Sequence, residues 1–593
     1  MTKIYQENVI EQTQIVSKLK RISNVLSLLR LAVVVLFLTS LYQVLIEQSV
    51  ADIWQLLIYG SAAVFLTLLL IYQRNAKKLA YHKQLLAINK DEFNYLINND
   101  LPFDNGKDFI DSQHANSFDL DLFGEKSLFQ HINRTKLTLG KKKLAQLFTE
   151  TVNPKEVIRR QKAVQELSEK FSLRQHFSVL SALSEDKEEY MDNLQCWANS
   201  DQKSKKGLAF YLSWLFPALF FVLVVLYAFD NTLIDSKWIG YLFIINMLSV
   251  GFNFKHINGE IQNSSKIAQT LSTYSGLIKT IKEVDFQSDL LVQKQKELAS
   301  ETVSADLLIK KLSRLFEQLD TIANMFVAIL LNGLFQYHNH VYYRVVKWKS
   351  AYSRQLFHWL NTVADIEALN SVANFAYNNP KYVYPAINEN NHFAFQQLGH
   401  PLIEKTKRVC NDIDFRQQRL TILTGSNMSG KSTFLRTIGV NLLLTGAGSP
   451  VCATEATVCP IPLWVSMRLT DSLKDGESYF YAEVKRLKQI VVEAQQQPVF
   501  VLLDEILRGT NSDDKTQGTI GVIEKMVNCG ATGMIATHDL EVCTVENKYP
   551  NVLTNKSFEG IIANDELSFD YKLRDGICQN KNATFIMKKM EII

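Results

Sequence analysis

Lys431, Ser432, Asp504, Glu505 and His538 are the side chains in this 593-residue sequence whose types and spacing could do chemistry together. Gly425 to Ser432 fits G-x-x-x-x-G-K-[ST], placed between the apolar run Leu420–Leu423 and a helix-forming stretch. Glycines there let successive backbone N–H groups turn inward around a polyphosphate, and the helix N-terminus adds partial positive charge. Lys431 can reach β- and γ-phosphates, and Ser432 can hold Mg²⁺. A phosphate cradle is therefore expected over Gly425, Ser426, Asn427, Met428, Ser429, Gly430, Lys431, Ser432 and Thr433. The implied ligands are ATP or GTP, with Mg²⁺.

Two further segments fit the same chemistry. Val499–Glu505, VFVLLDE, is an apolar run ending in two carboxylates. Asp504 would order the Mg²⁺ shell, and Glu505 would polarise the attacking water as general base. Gly533–His538, GMIATH, is a short apolar run ending in a histidine suited to sensing the γ-phosphate. Taken singly, these features have plainer readings: a glycine turn, a solvated acidic strand end, a structural histidine. Their occurrence together, in this order, favours a Mg-dependent nucleotide hydrolase.

The elements that must position these groups follow. Each apolar run suits a buried parallel strand with its polar end at the carboxyl edge of a sheet. The loop Asn378-Asn379-Pro380 and the Pro385 region mark the entry to this α/β domain, placed at 386–593. Upstream, apolar positions recur at helical spacing, and Ser264–Leu319 has almost no breakers, predicting long helices.

The cradle TGSNMSGKST, Thr424–Thr433, resembles that of the MutS mismatch-repair ATPases. So do Gly399-His400-Pro401-Leu402, Asn411-Asp412-Ile413, Ala536-Thr537-His538, Tyr571-Lys572-Leu573 and Gly576. DEILRGT, Asp504–Thr510, is similar to the family's DE-x-G-R-G-T, with Leu507 where glycine is usual. The resemblance continues through LDLFGEKSLFQHINRT (Leu120–Thr135), VIRRQKAV (Val157–Val164) and DIEALNSVANFA (Asp365–Ala376). It implies a core and lever region over 118–385 and an ABC-like ATPase domain. ESYFYAE, Glu477–Glu483, sits where the family has S-T-F-x-x-E. The resemblance therefore implies that Ser478 reaches the γ-phosphate of the opposite subunit of a homodimer, although Ser478 would also serve as a helix N-cap. It further implies Arg408 near the adenine, where the family often has an aromatic; a guanidinium could stack there by cation–π contact. DNA, and other repair proteins such as MutL-type partners, are the partners it implies.

Four apolar segments depart from a soluble member of that family. Leu31–Ile46, Ile53–Gln73, Gly207–Phe229 and Trp238–Phe254 are uncharged. A helix needs about 20 apolar residues to cross the hydrocarbon. The second and third suffice; the first and fourth are shorter, with Arg30 and Lys255 able to snorkel. They read as two transmembrane hairpins, 31–73 and 207–254. Lys18, Lys20, Arg21 and Arg30 precede the first pair and Arg74, Lys77 and Lys78 follow it; Lys203, Lys205, Lys206 and Lys255 flank the second. The turns carry Glu47, Asp52, Asp230 and Asp235, with Lys237 at one edge. The positive-inside rule then puts both termini and the ATPase in the cytoplasm, on a multi-pass protein of the cytoplasmic membrane. Thr321–Tyr343 is also uncharged, but its asparagines, glutamine and histidines predict a buried core helix of the levers.

The expected organisation is thus a helical lead at 1–30, a hairpin at 31–73, a connector at 74–117, and core and levers at 118–385 interrupted by the second hairpin, followed by the ATPase. The fold class is multidomain α plus α/β. A net charge of +4 is too small to argue for nucleic acid, and seven cysteines without a C-x-x-C pair indicate neither zinc nor a disulfide framework. The family's Phe-x-Glu mismatch wedge is not found before residue 118. Basic runs such as Lys141-Lys142-Lys143 and Arg159-Arg160 could meet phosphates or be solvated helix faces. Two functions remain in play: a membrane-anchored DNA ATPase and an ATP-driven membrane scaffold or remodelling protein. An ABC-type transporter is disfavoured by the missing L-S-G-G-Q and the MutS-like core.

Overall fold

The computed structural model describes residues 1–46, 52–184, 186–200, 208–232, 234–251, 257, 264–299, 304–426, 428–468, 479–563 and 566–578. Two long helices, Thr2–Leu45 and Asp52–Asn98, open the chain. They run antiparallel: Asn75 Nδ2 donates to the Leu19 carbonyl at 3.1 Å, His82 Nδ1 lies 2.7 Å from Gln12 Oε1, and Asn8 Nδ2 donates to Asn89 Oδ1 at 3.3 Å. The residues expected as a connector begin as an unbroken continuation of the second helix, as far as Asn98.

The polar end of this helical pair is built into the body. Glu92 is buried and accepts from Arg134, from Asn374 Nδ2 at 2.9 Å and from Asn378 Nδ2 at 3.0 Å. The Arg134 guanidinium lies 3.4 Å over the Phe103 ring. Tyr5 Oη donates to Asn378 Oδ1 at 3.2 Å. Asn374 and Asn378 end the 42-residue helix Tyr337–Asn378, which leads directly into the α/β domain.

The body between is helical. Its short helices begin with local caps: Ser127 accepts from Gln130 N at 3.2 Å, and Asn153, followed by Pro154, accepts from Glu156 N at 2.9 Å. Over Ser264–Leu319, where long helices are expected, the chain forms Ser264–Glu283, Asp289–Glu297 and Ala305–Asp320. Distant side chains make the first break. Gln295 Nε2 donates to the Ile281 and Val284 carbonyls at 2.9 and 2.8 Å, and the Glu166 carboxylate accepts from Gln287 N and Ser288 N at 3.0 and 2.8 Å. Ala305–Asp320 then packs back on Ser264–Glu283 through Leu308, Ile309, Leu312, Leu315, Phe316 and Leu319, an i, i+3, i+4 face.

Among the described residues, three helices are long and apolar enough to cross a membrane: Thr2–Leu45, Asp52–Asn98 and Phe210–Phe229. The fourth expected span appears as Ser236–Gly251, packed on its neighbour Leu208–Phe229; residues 252–254 lie outside the described residues. Thr321–Tyr343 departs from expectation. It turns by 109° after Ala323 into the helix Met325–Phe335, whose Met325, Phe326, Val327, Leu330 and Phe335 are exposed rather than buried in the core.

The described residues of the C-terminal domain hold ten strands in two sheets. Four form a small sheet of order β1-β5-β2-β3: β1 Ala386–Ile387, β2 Ala394–Leu398, β3 Asn411–Asp414 and β5 Glu455–Val458. Six form the main sheet, order β10-β9-β4-β8-β7-β6: β4 Leu420–Gly425, β6 Leu463–Ser466, β7 Phe500–Asp504, β8 Thr532–Ala536, β9 Leu553–Ala563 and β10 Glu566–Asp575. Strands β6, β7, β8, β4 and β9 are mutually parallel, and only β10 runs against its neighbour. Every residue of β4, β7 and β8 is buried, which is why they read as unbroken apolar runs. Domain and helical body share one core: Leu120 packs so closely on Gly439 that a Cβ there would sit 2.7 Å from Leu120 Cδ2.

Candidate nucleotide site

Register brings the functional ends together. Leu423 of β4 and Asp504 of β7 both pair with Ala536 of β8, so the chain leaves all three strands at one edge. The loop after β4 then turns into the helix Lys431–Gly446. Gly430 takes φ +103°, and a Cβ there would meet the Tyr571 ring at 3.0 Å. Both constraints call for glycine. Asn427 lies outside the described residues.

Lys431 is buried inside the loop. Its Nζ donates to the Gly425 and Ser426 carbonyls at 2.8 and 3.2 Å and lies 3.3 Å from His538 Nε2. Burial pushes its amine below the usual value. Ser432 Oγ donates to Asp504 Oδ2 at 2.5 Å. Asp504 Oδ1 and Ser429 Oγ are buried without a hydrogen-bond partner among the described residues. An unpartnered carboxylate oxygen beside a hydroxyl is the donor set a hard cation takes, so these residues fit Mg²⁺.

Glu505 carries the second carboxylate. One oxygen meets His538 Nε2 at 2.5 Å and the other Arg508 Nη2 at 3.3 Å. The hydrogen bond from His538, then the charges of His538, Arg508 and Lys431, hold its carboxyl at about 2 against the opposing effect of burial. The backbone that aims it is strained, with φ +48° at Glu505 and +60° at Leu507. Glu483, near the start of the helix Tyr479–Gln496, holds that turn. Its carboxylate accepts from Leu507 N at 2.8 Å and Arg508 N at 3.1 Å, and burial pushes its pKa up. In the sequence, Glu483 stands out only as part of a motif. Its function as a clamp spans residues far apart in the chain.

A cleft of about 400 Å³ lies over the loop, walled by His400, Ile403, Lys407, Val409, Met428 and Tyr571 together with the cradle. Arg408 is not among its lining residues. Its guanidinium donates to the Ile403 and Pro401 carbonyls at 2.6 and 3.1 Å and lies 2.9 Å from Cys452 Sγ. Tyr571 and Leu573 are tied to the small sheet by Asn411, whose amide donates to the Tyr571 carbonyl at 3.0 Å and accepts from Leu573 N at 2.9 Å.

Residues 421–591 match the family model MutS domain V. This domain belongs to the MutS family. The chain is similar to the DNA mismatch repair protein MutS of Thermotoga neapolitana, 32% identical over 222 residues, which is 36% of this chain and 27% of that protein. The Thermotoga maritima DNA mismatch repair protein MutS is 29% identical over 231 residues, 38% of this chain and 29% of that protein. MutS protein homolog 4 of Homo sapiens is 31% identical over 291 residues, 47% of this chain and 29% of its own length. The chain thus spans less than a third of the length of these curated relatives.

Seen within the MutS pattern, the departure at Leu507 acquires a physical reason. Its φ of +60° is the conformation glycine adopts freely. The leucine side chain is buried, and the helix Ser512–Cys529 makes room for it with Gly518, where a Cβ would meet Leu507 Cδ1 at 2.5 Å. Burial of a leucine, about 2 kcal/mol, offsets the left-handed backbone, about 1–2 kcal/mol. Ser478, in the MutS-type segment that would act across a dimer, lies outside the described residues, as does Glu477. Tyr479 begins the helix that carries Glu483.

Proposed function

We propose that this chain is a membrane-anchored MutS-type ATPase, in which ATP binding and hydrolysis close a homodimer that engages DNA. The observation that carries the reading is the convergence of Lys431, Ser432, Asp504, Glu505 and His538 at one sheet edge, beneath an open cleft. Ser432 and Asp504 would hold Mg²⁺, which when bound offsets phosphate charge. Lys431 exchanges its two loop carbonyls for phosphate oxygens. Glu505, ionised throughout the neutral range, accepts a hydrogen bond from the attacking water and orients it. His538 lies between Glu505 and Lys431 and so reports on the γ-phosphate to both. The nucleoside fills the cleft against Ile403, Val409 and Tyr571. Ser478 completes the partner's site.

Membrane anchoring is supported by surface inversion. In the most apolar windows of the three long helices only 11%, 6% and 17% of residues are buried. Ser61, Asn75, Ser213 and Asn246 turn inward while Leu56, Leu66, Trp214 and Val222 face out.

DNA engagement is read from the two Thermotoga relatives, whose names are those of DNA mismatch repair proteins. One observation favours the scaffold reading instead. The basic runs are neutralised within the chain: Lys141 by Asp104 and Asp108, Lys142 by Glu188, Lys143 by Asp365, and Arg159 and Arg160 by Glu156. Purified full-length protein, assayed for binding to homoduplex, mismatched and branched DNA across a salt series, separates the two. ATP-dependent binding with a steep salt slope is expected, and it requires Lys431. Intact hydrolysis without binding to any of these substrates would assign the machinery to the membrane alone.

A further inference from the structure

The helix Met325–Phe335 has the polarity of a soluble helix turned inside out. Its outward residues are Met325, Phe326, Val327, Leu330 and Phe335, with Phe326 87% and Met325 70% exposed. Asn332 near its end, and Gln336, His338 and Asn339 just beyond it, are polar and buried. They are satisfied internally. Asn332 Oδ1 accepts from His338 N at 3.1 Å, Gln336 Nε2 donates to Asn246 Oδ1 at 3.0 Å, and Asn246 Nδ2 donates to the Gly333 carbonyl at 2.9 Å. Asn324, exposed at the helix start, caps it by accepting from Val327 N at 3.2 Å.

The same helix is continuous with the second apolar hairpin. Gly333 lets the Phe243 ring approach to within 2.2 Å of where a Cβ would stand, and Phe221 meets Phe335 at 5.4 Å between centroids. Charge closes the case for one occupant. Residues 321–343 carry no charged side chain, while Lys310, Lys311 and Arg314 precede them and Arg344 and Lys347 follow. Basic residues on both flanks and none at the tip describe a segment that enters and leaves a bilayer from its cytoplasmic face. Eleven helical residues extend about 16 Å, roughly half of a hydrocarbon core of about 30 Å.

We propose that Met325–Phe335 is a re-entrant helix seated in the lipid bilayer, so that the two helices it joins, Ala305–Asp320 and Tyr337–Asn378, are fixed to the membrane at their shared tip. The proposal rests on the anchoring reading above, and the test keeps the two apart. Single cysteines replace Phe326, Val222 on the second hairpin, or Leu540 on the α/β domain, in a full-length background with Cys196, Cys410 and Cys529 changed to Ser. Each is spin-labelled in liposomes, and its collisions with oxygen and with a water-soluble nickel chelate are compared. The oxygen-to-nickel ratio at Phe326→Cys is expected to match that at Val222→Cys and to exceed that at Leu540→Cys by about tenfold or more, because a charged chelate is excluded from hydrocarbon. An aqueous ratio at Phe326→Cys beside a lipid ratio at Val222→Cys would overturn the re-entrant helix and leave the anchor standing. Aqueous ratios at both would overturn both.

Discussion

Replacing Glu483 by alanine should disable hydrolysis without emptying the nucleotide site. Glu483 makes no hydrogen bond to the described phosphate-loop residues; it holds Leu507 N and Arg508 N at 2.8 and 3.1 Å. Those two donors lie in a turn with left-handed backbone at Glu505 and Leu507. Each left-handed residue stores about 1–2 kcal/mol, and each buried N–H left unpaired costs about 1–3 kcal/mol. With the strain at Leu507 already offset by burial of its side chain, the strain at Glu505 and the two unpaired N–H groups leave about 3 kcal/mol or more for the turn to relax, enough to reverse its local preference. Glu505 sits two residues before the first clamped amide and moves with it. A displacement of about 1 Å in a water-orienting carboxylate costs on the order of 100-fold in rate. Steady-state ATPase measurements on Glu483→Ala should show kcat down by about that factor, with nucleotide affinity within about threefold of wild type because the loop contacts are unaltered. Glu483→Gln keeps one acceptor oxygen and should fall between. A kcat for Glu483→Ala within twofold of wild type would refute the clamp, as would a loss of binding that accounts for the whole effect.

Two further outcomes follow from buried charge. Glu505 is held at about 2, below its ordinary 4.5, chiefly by the hydrogen bond from His538. A depressed carboxyl contributes above its ordinary value and loses that contribution as pH falls through about 2, so Glu505 imposes no acid limb on wild-type turnover near neutrality. His538→Ala removes the largest lowering cause, so the residual rate should acquire an acid limb displaced upward toward 4.5; superimposable acid limbs for the two proteins would contradict the pairing. At the foot of the first helical pair, Glu92→Leu or Arg134→Leu alone should each destabilise by about 3–5 kcal/mol, since each leaves a buried charge unpaired. The double variant should cost at least about 2 kcal/mol less than the sum, measured by denaturant unfolding in detergent, and strict additivity would show that the two groups do not act as a pair.

What could be read from the chain, and what could not, divides along the reach of each interaction. The phosphate loop, Asp504, Glu505 and His538 announce themselves because a strand, its turn and its terminal side chain are contiguous in sequence. The clamp of Glu483 on residues 507 and 508, and the break after Glu283 made by Gln295 and Glu166, join distant segments and leave no periodic trace. Arg408 shows a different limit: motif position places the residue beside the cleft, yet neighbouring carbonyls and Cys452 decide which way its guanidinium points. Thr321–Tyr343 was legible in composition but not in direction. Asparagines and histidines in an apolar run suggest a core helix when the surroundings are water. The same residues turn inward when the surroundings are apolar, and periodicity alone does not distinguish the two solvents.

The foot of the first helical pair has a consequence for assembly. At about 1.5 Å per residue, helices of 44 and 47 residues are about 66 and 70 Å long, roughly twice the hydrocarbon thickness. The surplus is not a free tether, because Tyr5, Glu92 and Arg134 bolt it to the helix that enters the α/β domain. For a chain seated in one bilayer as proposed, the attitude of that domain to the membrane plane is therefore fixed. Two copies in the same leaflet orientation can be superposed only by rotation about the membrane normal. Any twofold pairing must use that axis, so the two α/β domains of a pair stand at the same height above the lipid surface.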